Sequence, residues 1–171
     1  ENQKLRLPQN HQKVNNNRLG ACRTWREVRQ YTAQTVKLQS QFIKRTIKKR
    51  YVALLDGILE ANDGIIDLPL RVDLDDRPRQ LVCYEHGKSA QTKWEVIAVE
   101  NNNTRVYFYP ISGRTHQLRV HASHELGLHT PIVGDDLYGI KSNRLHLHAE
   151  HLTFVHPISK EEITIQKEAE F

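Results

Sequence analysis

Methionine is absent from the 171 residues, cysteine and tryptophan occur twice each, and aromatic residues make up only 7% of the chain. A sequence that opens at Glu1 and has no methionine reads as a processed product or as a piece of something longer. Cys22 and Cys83 show no paired spacing, which argues against a disulfide-stapled secreted domain and fits a reducing compartment. No long apolar run is present. The most apolar stretch, Tyr51 to Leu59, is short and broken by Asp56, and the mean hydropathy is −0.65, so a membrane span is excluded. No signal-peptide pattern opens the sequence as given, and a cytoplasmic location is expected.

Acidic residues are scarce where basic ones are dense. Residues 1 to 50 hold 13 Lys and Arg against 2 Asp and Glu, whereas residues 51 to 171 hold 12 against 18. The net charge of +5 therefore hides a strongly basic first segment beside a mildly acidic body, a split for which nucleic acid is a common partner. At this length one domain with one hydrophobic core is expected, with roughly 70% of the unfolded surface buried. Residues 1 to 20, rich in Asn and Gln with few apolar anchors, read as a flexible basic arm, and residues 21 to 171 as the folded domain.

Apolar periodicity sets out the elements. Val28, Tyr31, Thr35, Leu38 and Phe42 recur at steps of three and four and predict an amphipathic helix over 25–46. From Lys48 the period changes, and Tyr51 to Leu55 reads as a buried strand closed by Asp56-Gly57. Residues 61 to 90 read as irregular chain with short strands at Ile65-Ile66 and Leu81-Val82. Trp94, Val96 and Ala98, then Val106, Phe108 and Pro110, alternate with polar neighbours around Asn101-Asn102-Asn103, the pattern of an antiparallel hairpin. Thr115 is placed to cap a helix from His116 to Leu126, with Gly127 ending it. A turn-rich stretch from Thr130 to Asn143 precedes a strand from Leu145 to Phe154, and Ile163 and Ile165 mark an edge strand. The fold class is α+β, a mixed and largely antiparallel sheet with flanking helices.

Three constellations carry chemistry. Gly113-Arg-Thr-His-Gln-Leu-Arg-Val-His121 lies at a strand-to-helix junction, where backbone N–H groups and Arg114 suit a phosphate. His146-Leu-His-Ala-Glu-His151 resembles the HxHxDH pattern of zinc hydrolases. Only His156 follows it as a further histidine, and its alternation with leucines is that of a half-buried strand, so no metal site is expected. His121, His124 and His129 are read as RNA contacts or surface. Asp73, Asp75 and Asp76 beside Arg71, Arg77 and Arg79 form loop ion pairs whose arginines are candidates to face a polyanion. Asp135 and Asp136 are expected to cap and staple turns rather than to catalyse.

Four ordered motifs, Lys48-Lys-Arg-Tyr51, Gly113 to His121, Pro131-Ile-Val-Gly-Asp-Asp-Leu-Tyr-Gly139 and Arg144-Leu-His-Leu-His-Ala149, resemble those of RNA pseudouridine synthases of the RluA type, from about Gln41 to Phe171. The resemblance implies that family's antiparallel sheet beside an RNA-binding cleft. It also implies conversion of uridine to pseudouridine in structured RNA, ribosomal or transfer, without a cofactor, after the target base leaves the stack. By the same resemblance Tyr51 lies against the flipped uracil, Leu118 packs on the base and Arg119 pairs with the catalytic aspartate. Lys48, Lys49, Arg114, His116, Arg71, Arg77 and Arg79 are the RNA-binding candidates. The family's first motif, His-Arg-Leu-Asp followed by Thr-Ser-Gly, is matched only by Asn17-Arg-Leu-Gly20, and Gly20 stands where the aspartate belongs. The attacking carboxylate is therefore not identified, and the alternative is an RNA-binding relative without the chemistry. A strand missing from that region would call for a partner chain to complete the fold.

Overall fold

The computed structural model describes residues 32–171. The basic arm, the start of the expected helix over 25–46 and the Asn17–Gly20 stretch lie outside the described residues. Helix α1 spans Thr32–Ile43, and the chain leaves it through Arg45 in the left-handed region (φ 57°). The side chain of Gln41 holds this helix to the sheet, donating from Nε2 to the Val155 carbonyl (2.7 Å) and accepting the Val155 N–H (2.9 Å).

Eight strands follow: β1 (Lys48–Leu55), β2 (Asp63–Asp67), β3 (Leu70–Val72), β4 (Gln80–Val82), β5 (Gln91–Glu100), β6 (Asn103–Pro110), β7 (Leu147–Val155) and β8 (Glu162–Gln166), with helix α2 (Gln117–Ser123) between β6 and β7. Six of them form one antiparallel sheet in the order β2-β5-β6-β1-β7-β8, while β3 and β4 make a separate two-stranded hairpin. The six strands pair without a gap, and β2 and β8 are the sheet's edges among the described residues.

Alternation decides which face is which. Tyr51, Ala53 and Leu55 of β1 pair beside Phe108, Val106 and Thr104 of β6, and this face packs against Leu118 and Ala122 of α2, with Trp94, Ile66, Leu68 and Ile132 completing the core. The intervening residues Arg50 and Val52 turn to the opposite face, where Arg50 stacks over the Tyr107 ring (4.3 Å) and pairs with Glu150 (2.8 Å). The β5–β6 hairpin turns on Asn101 and Asn102, both at positive φ (50° and 64°), the two-residue turn whose twist matches that of the strands.

Helix α2 departs from its expected form. It runs for seven residues rather than from His116 to Leu126; His124 already has an extended backbone. Thr115 does not cap it, since the cap position is His116, in the left-handed conformation (φ 53°) and making no side-chain cap bond. The reason lies in the core: Leu118, Val120, His121 and Ala122 are all buried, so a short segment is held by packing rather than by capping.

His121 corrects the reading of that residue as an RNA or surface histidine, because it is 0% exposed. Burial pushes its imidazole pKa down to about 4, against weaker opposing effects of the Leu68 carbonyl and Asp67. The neutral ring is thus favoured in the fold, and stability present above the ordinary histidine pKa of about 6.5 is lost as pH falls toward 4, by about 3 kcal/mol for this residue. Urea unfolding between pH 7 and pH 4 is expected to show this loss in the native chain. His121→Leu should flatten that pH slope whatever its effect on absolute stability, and an unchanged slope would contradict the assignment.

Candidate active site

An open cleft lies where the first half of β1, the β6-to-α2 junction and the start of β7 meet. It is lined by Lys49, Tyr51, Pro110, Ser112, Gly113, Arg114, His116, Gln117, Leu118, Arg119 and Leu147. Sequence neighbours place these side chains. Lys49 and Tyr51 project from the same face of β1, and Leu118 forms the floor, 7% exposed and continuous with the core. A Cβ built on Gly113 would lie 3.7 Å from Lys49 Nζ, so that loop passes close beside the lysine. Lys49, Tyr51, Arg114, His116, Leu118 and Arg119 are therefore brought together as expected.

Other candidates fall outside the cleft. Lys48 is exposed on the far side of the β1 alternation, and Arg77 is exposed in the β3–β4 loop. Arg71 donates to the Val72 carbonyl (3.3 Å) while its Nε is buried without a partner. Arg79 donates to the Leu137 carbonyl, pairs with Asp76 (3.1 Å) and lies 5.5 Å from the centre of the Tyr138 ring. Its side chain is 42% exposed and outside the cleft lining. The histidine cluster does not converge either. His146 Nδ1 lies against the Val133 and Arg144 carbonyls and His148 Nε2 against the Lys167 carbonyl, and among the described residues no three ligand-type side chains gather to hold a metal.

The helix start is closed by a side chain the sequence reading passed over. Gln117 is 3% exposed, and its Oε1 accepts the Arg114 N–H (2.9 Å) and the Ser112 hydroxyl (2.8 Å). Its Nε2 donates to the Gln91 carbonyl (2.9 Å) and to Thr92 Oγ1 (2.9 Å). This buried amide ties α2 to β5 and takes up the Arg114 N–H, so that N–H is not available to the phosphate expected at the helix start. Arg114 itself donates from Nε to the Ser89 carbonyl (3.1 Å) and remains exposed.

Carboxylates do reach Arg119. Asp135 accepts from Arg119 Nε at 2.8 Å and from Nη2 at 2.5 Å, and Asp136 accepts from Nη2 at 2.9 Å. Asp135 also accepts the N–H groups of Leu137 (3.0 Å) and Tyr138 (2.9 Å), which confirms the expected turn cap and gives it a second duty. Gly134 makes this possible: its φ is +77°, and an added Cβ would sit 1.8 Å from the Arg144 carbonyl oxygen. Burial alone would raise the Asp135 carboxyl, but the hydrogen bonds and charge of Arg119 with the two N–H groups outweigh it, and the pKa lies below the ordinary value. Burial pulls the other way on Arg119 as well, and the two carboxylates outweigh it to hold its guanidinium firmly charged.

Asp135 is 0% exposed, does not line the cleft, and holds Arg119 from behind. Among the described residues that line the cleft there is no Asp or Glu.

The fold is α+β, and its sheet-backed cleft sets Lys49, Arg114 and Arg119 around Tyr51 and Leu118. The RNA pseudouridylate synthase family model matches residues 32–124, more than half of the chain. The chain belongs to that family. It is 49% identical over 144 residues to the dual-specificity RNA pseudouridine synthase RluA of Haemophilus ducreyi, covering 79% of this chain and 64% of that protein. It is 45% identical over 141 residues to the protein of the same name from Escherichia coli K12, covering 79% and 63%. The chain thus spans less than two thirds of the length of these relatives. Among solved structures, human RNA pseudouridylate synthase domain containing 1 superposes with a TM-score of 0.68 at 27% identity, covering 82% of this chain and 62% of that one. Human RNA pseudouridylate synthase domain containing 4 shares the fold, with a TM-score of 0.64 at 24% identity and coverage of 81% and 64%.

Removing one member of a buried ion pair leaves the other charge uncompensated. Asp135→Ala is expected to cost about 3–5 kcal/mol in denaturant unfolding, whereas Asp136→Ala, at a carboxylate 60% exposed, should cost under about 1 kcal/mol. Equal losses for the two variants would contradict the division of labour between them.

Proposed function

We propose that this chain is an RNA pseudouridine synthase domain that isomerises uridine in structured RNA, ribosomal or transfer, with the target base turned out of its stack into the Tyr51 cleft. The observation that carries the reading is the convergence of Tyr51, Leu118 and Arg119 with Lys49 and Arg114 in one cleft of a chain belonging to this family. Lys49 and Arg114 hold backbone phosphates, and Leu118 and Tyr51 contact the extruded base. In the isomerisation the bond between N1 and C1′ breaks and one between C5 and C1′ forms; the C5 proton leaves to solvent and N1 regains a proton, so atoms and charge balance without a cofactor. The names borne by the curated relatives support the reaction class.

The second reading, an RNA-binding relative without the chemistry, is not favoured by the names of the curated relatives. The described cleft carries no carboxylate to attack the base or sugar, and Gly20 occupies the position expected for it.

Tritium release from RNA labelled at uracil C5 and lacking its own modification separates the two. Isomerisation predicts release well above a no-protein control; salt-sensitive binding without release would establish the second reading and overturn the first. Either way, if Lys49, Arg114 and one further cation each neutralise a phosphate, log K should fall against log salt with a slope of about −2. A flat salt response would contradict RNA binding in this cleft.

A further inference from the structure

Tyr138 belongs to neither reading's catalytic set, yet it lies behind the cleft, between His116 and the β3–β4 hairpin. Its hydroxyl oxygen accepts the Gln80 N–H at 2.7 Å and lies 3.0 Å from His116 Nδ1. The Gln80 N–H can only donate, so the phenol's single proton is left for His116. Nδ1 is then the acceptor, and the ring proton sits on Nε2. The alternative, a phenol oxygen receiving two donors, would leave a half-buried hydroxyl proton with no acceptor among the described residues.

The surroundings oppose an imidazolium. Burial lowers the affinity of His116 for a second proton, and the Arg119 guanidinium adds to this, while Asp135 and Asp136 act in the opposite sense from behind that arginine. Both carboxylates are already bonded to Arg119. Tyr138 contributes no negative charge, since its own pKa is raised, chiefly by burial. Arg79 and Arg119 both lie over its ring, 5.5 and 5.2 Å from the centroid.

We infer that Tyr138, fixed by the Gln80 N–H, locks His116 as the neutral ring with its proton on Nε2, so that the His116 side of the cleft offers an uncharged donor to a carbonyl oxygen of the bound pyrimidine rather than a cation to a phosphate. His116 is then a base-orienting contact and Tyr138 a positioning residue acting through it. The chemistry suits the division already present in the cleft: Lys49 and Arg114 supply charge for the backbone, and a neutral N–H distinguishes a carbonyl-bearing base edge without adding to non-specific binding. The left-handed backbone of His116 (φ 53°) holds the ring at the helix start, and Asn tolerates that conformation better than most replacements.

The inference rests on the proposed function for the identity of the acceptor but not for the tautomer, and the tests separate the two. Nitrogen NMR of the histidine rings in the RNA-free protein near pH 7 is expected to show His116 Nε2 protonated and Nδ1 bare, and Tyr138→Phe should convert it to a mixture of both tautomers. A protonated Nδ1 in the native protein, or no change in the variant, would overturn the lock. With an unmodified RNA stem-loop carrying loop uridines as the probe, His116→Asn is expected to weaken binding about tenfold or more while leaving the salt slope unchanged. A slope reduced by about 1 would instead make His116 a phosphate contact and overturn the base assignment. If the native chain binds no RNA at all, the functional proposal fails with it, while the tautomer stands or falls on the NMR signature.

Discussion

The cleft depends on one buried ion pair. Arg119 and Asp135, 13% and 0% exposed, join the first turn of α2 to the turn at Asp135–Tyr138. Such a pair stabilises only where its remaining hydrogen-bonding capacity is met, and here it is: the two N–H groups of the turn complete one carboxylate oxygen, and Asp136 takes up the outer side of the guanidinium. Gly134 is the backbone condition for this arrangement, since any side chain there would collide with the Arg144 carbonyl. From the turn the constraint passes outward. Asp135 holds the Tyr138 N–H, the Tyr138 hydroxyl meets both His116 and the β4 backbone, and Arg79 closes the hairpin over the same ring.

A second buried polar centre works in parallel. Gln117 makes four hydrogen bonds that close the helix start against β5. Through Gln117 and the Arg119–Asp135 pair, a helix of only seven residues is fixed at its first turn on two sides, which propensity alone would not achieve at that length. Rigidity at this junction positions Leu118 as a floor shared by core and cleft, and leaves Lys49 and Arg114 at the rim. The outcome is a preorganised surface with cationic edges and an apolar base, the combination the proposed RNA substrate requires.

The strands and their faces were legible in the sequence because alternation is a local property: Tyr51 to Leu55, Trp94 to Ala98 and Val106 to Pro110 each lie within a strand, and the paired asparagines mark the hairpin turn. The motifs located the cleft for the same reason. What was not legible is long-range or hidden in residue type. Nothing local distinguishes His121, buried and neutral, from an exposed histidine, nor Arg79, stacked on a tyrosine 59 positions away, from a free one. Gln117 and Tyr138 lay inside quoted motifs, but a buried polar side chain is recognised only by partners that come from other elements. The helix after Gly113 was overextended because Leu126 continues the four-residue spacing, although the chain has already turned at His124.

Arg119 and Asp135 act as one unit that shapes the cleft proposed to hold RNA. A double-mutant cycle over Arg119→Ala and Asp135→Ala, read by denaturant unfolding and by binding of an unmodified RNA stem-loop, addresses it most directly. The account predicts strong coupling, on the order of 2 kcal/mol or more, with the double variant hardly worse than either single one in both readouts. Additive losses, or coupling confined to stability while RNA binding is unaffected, would contradict it.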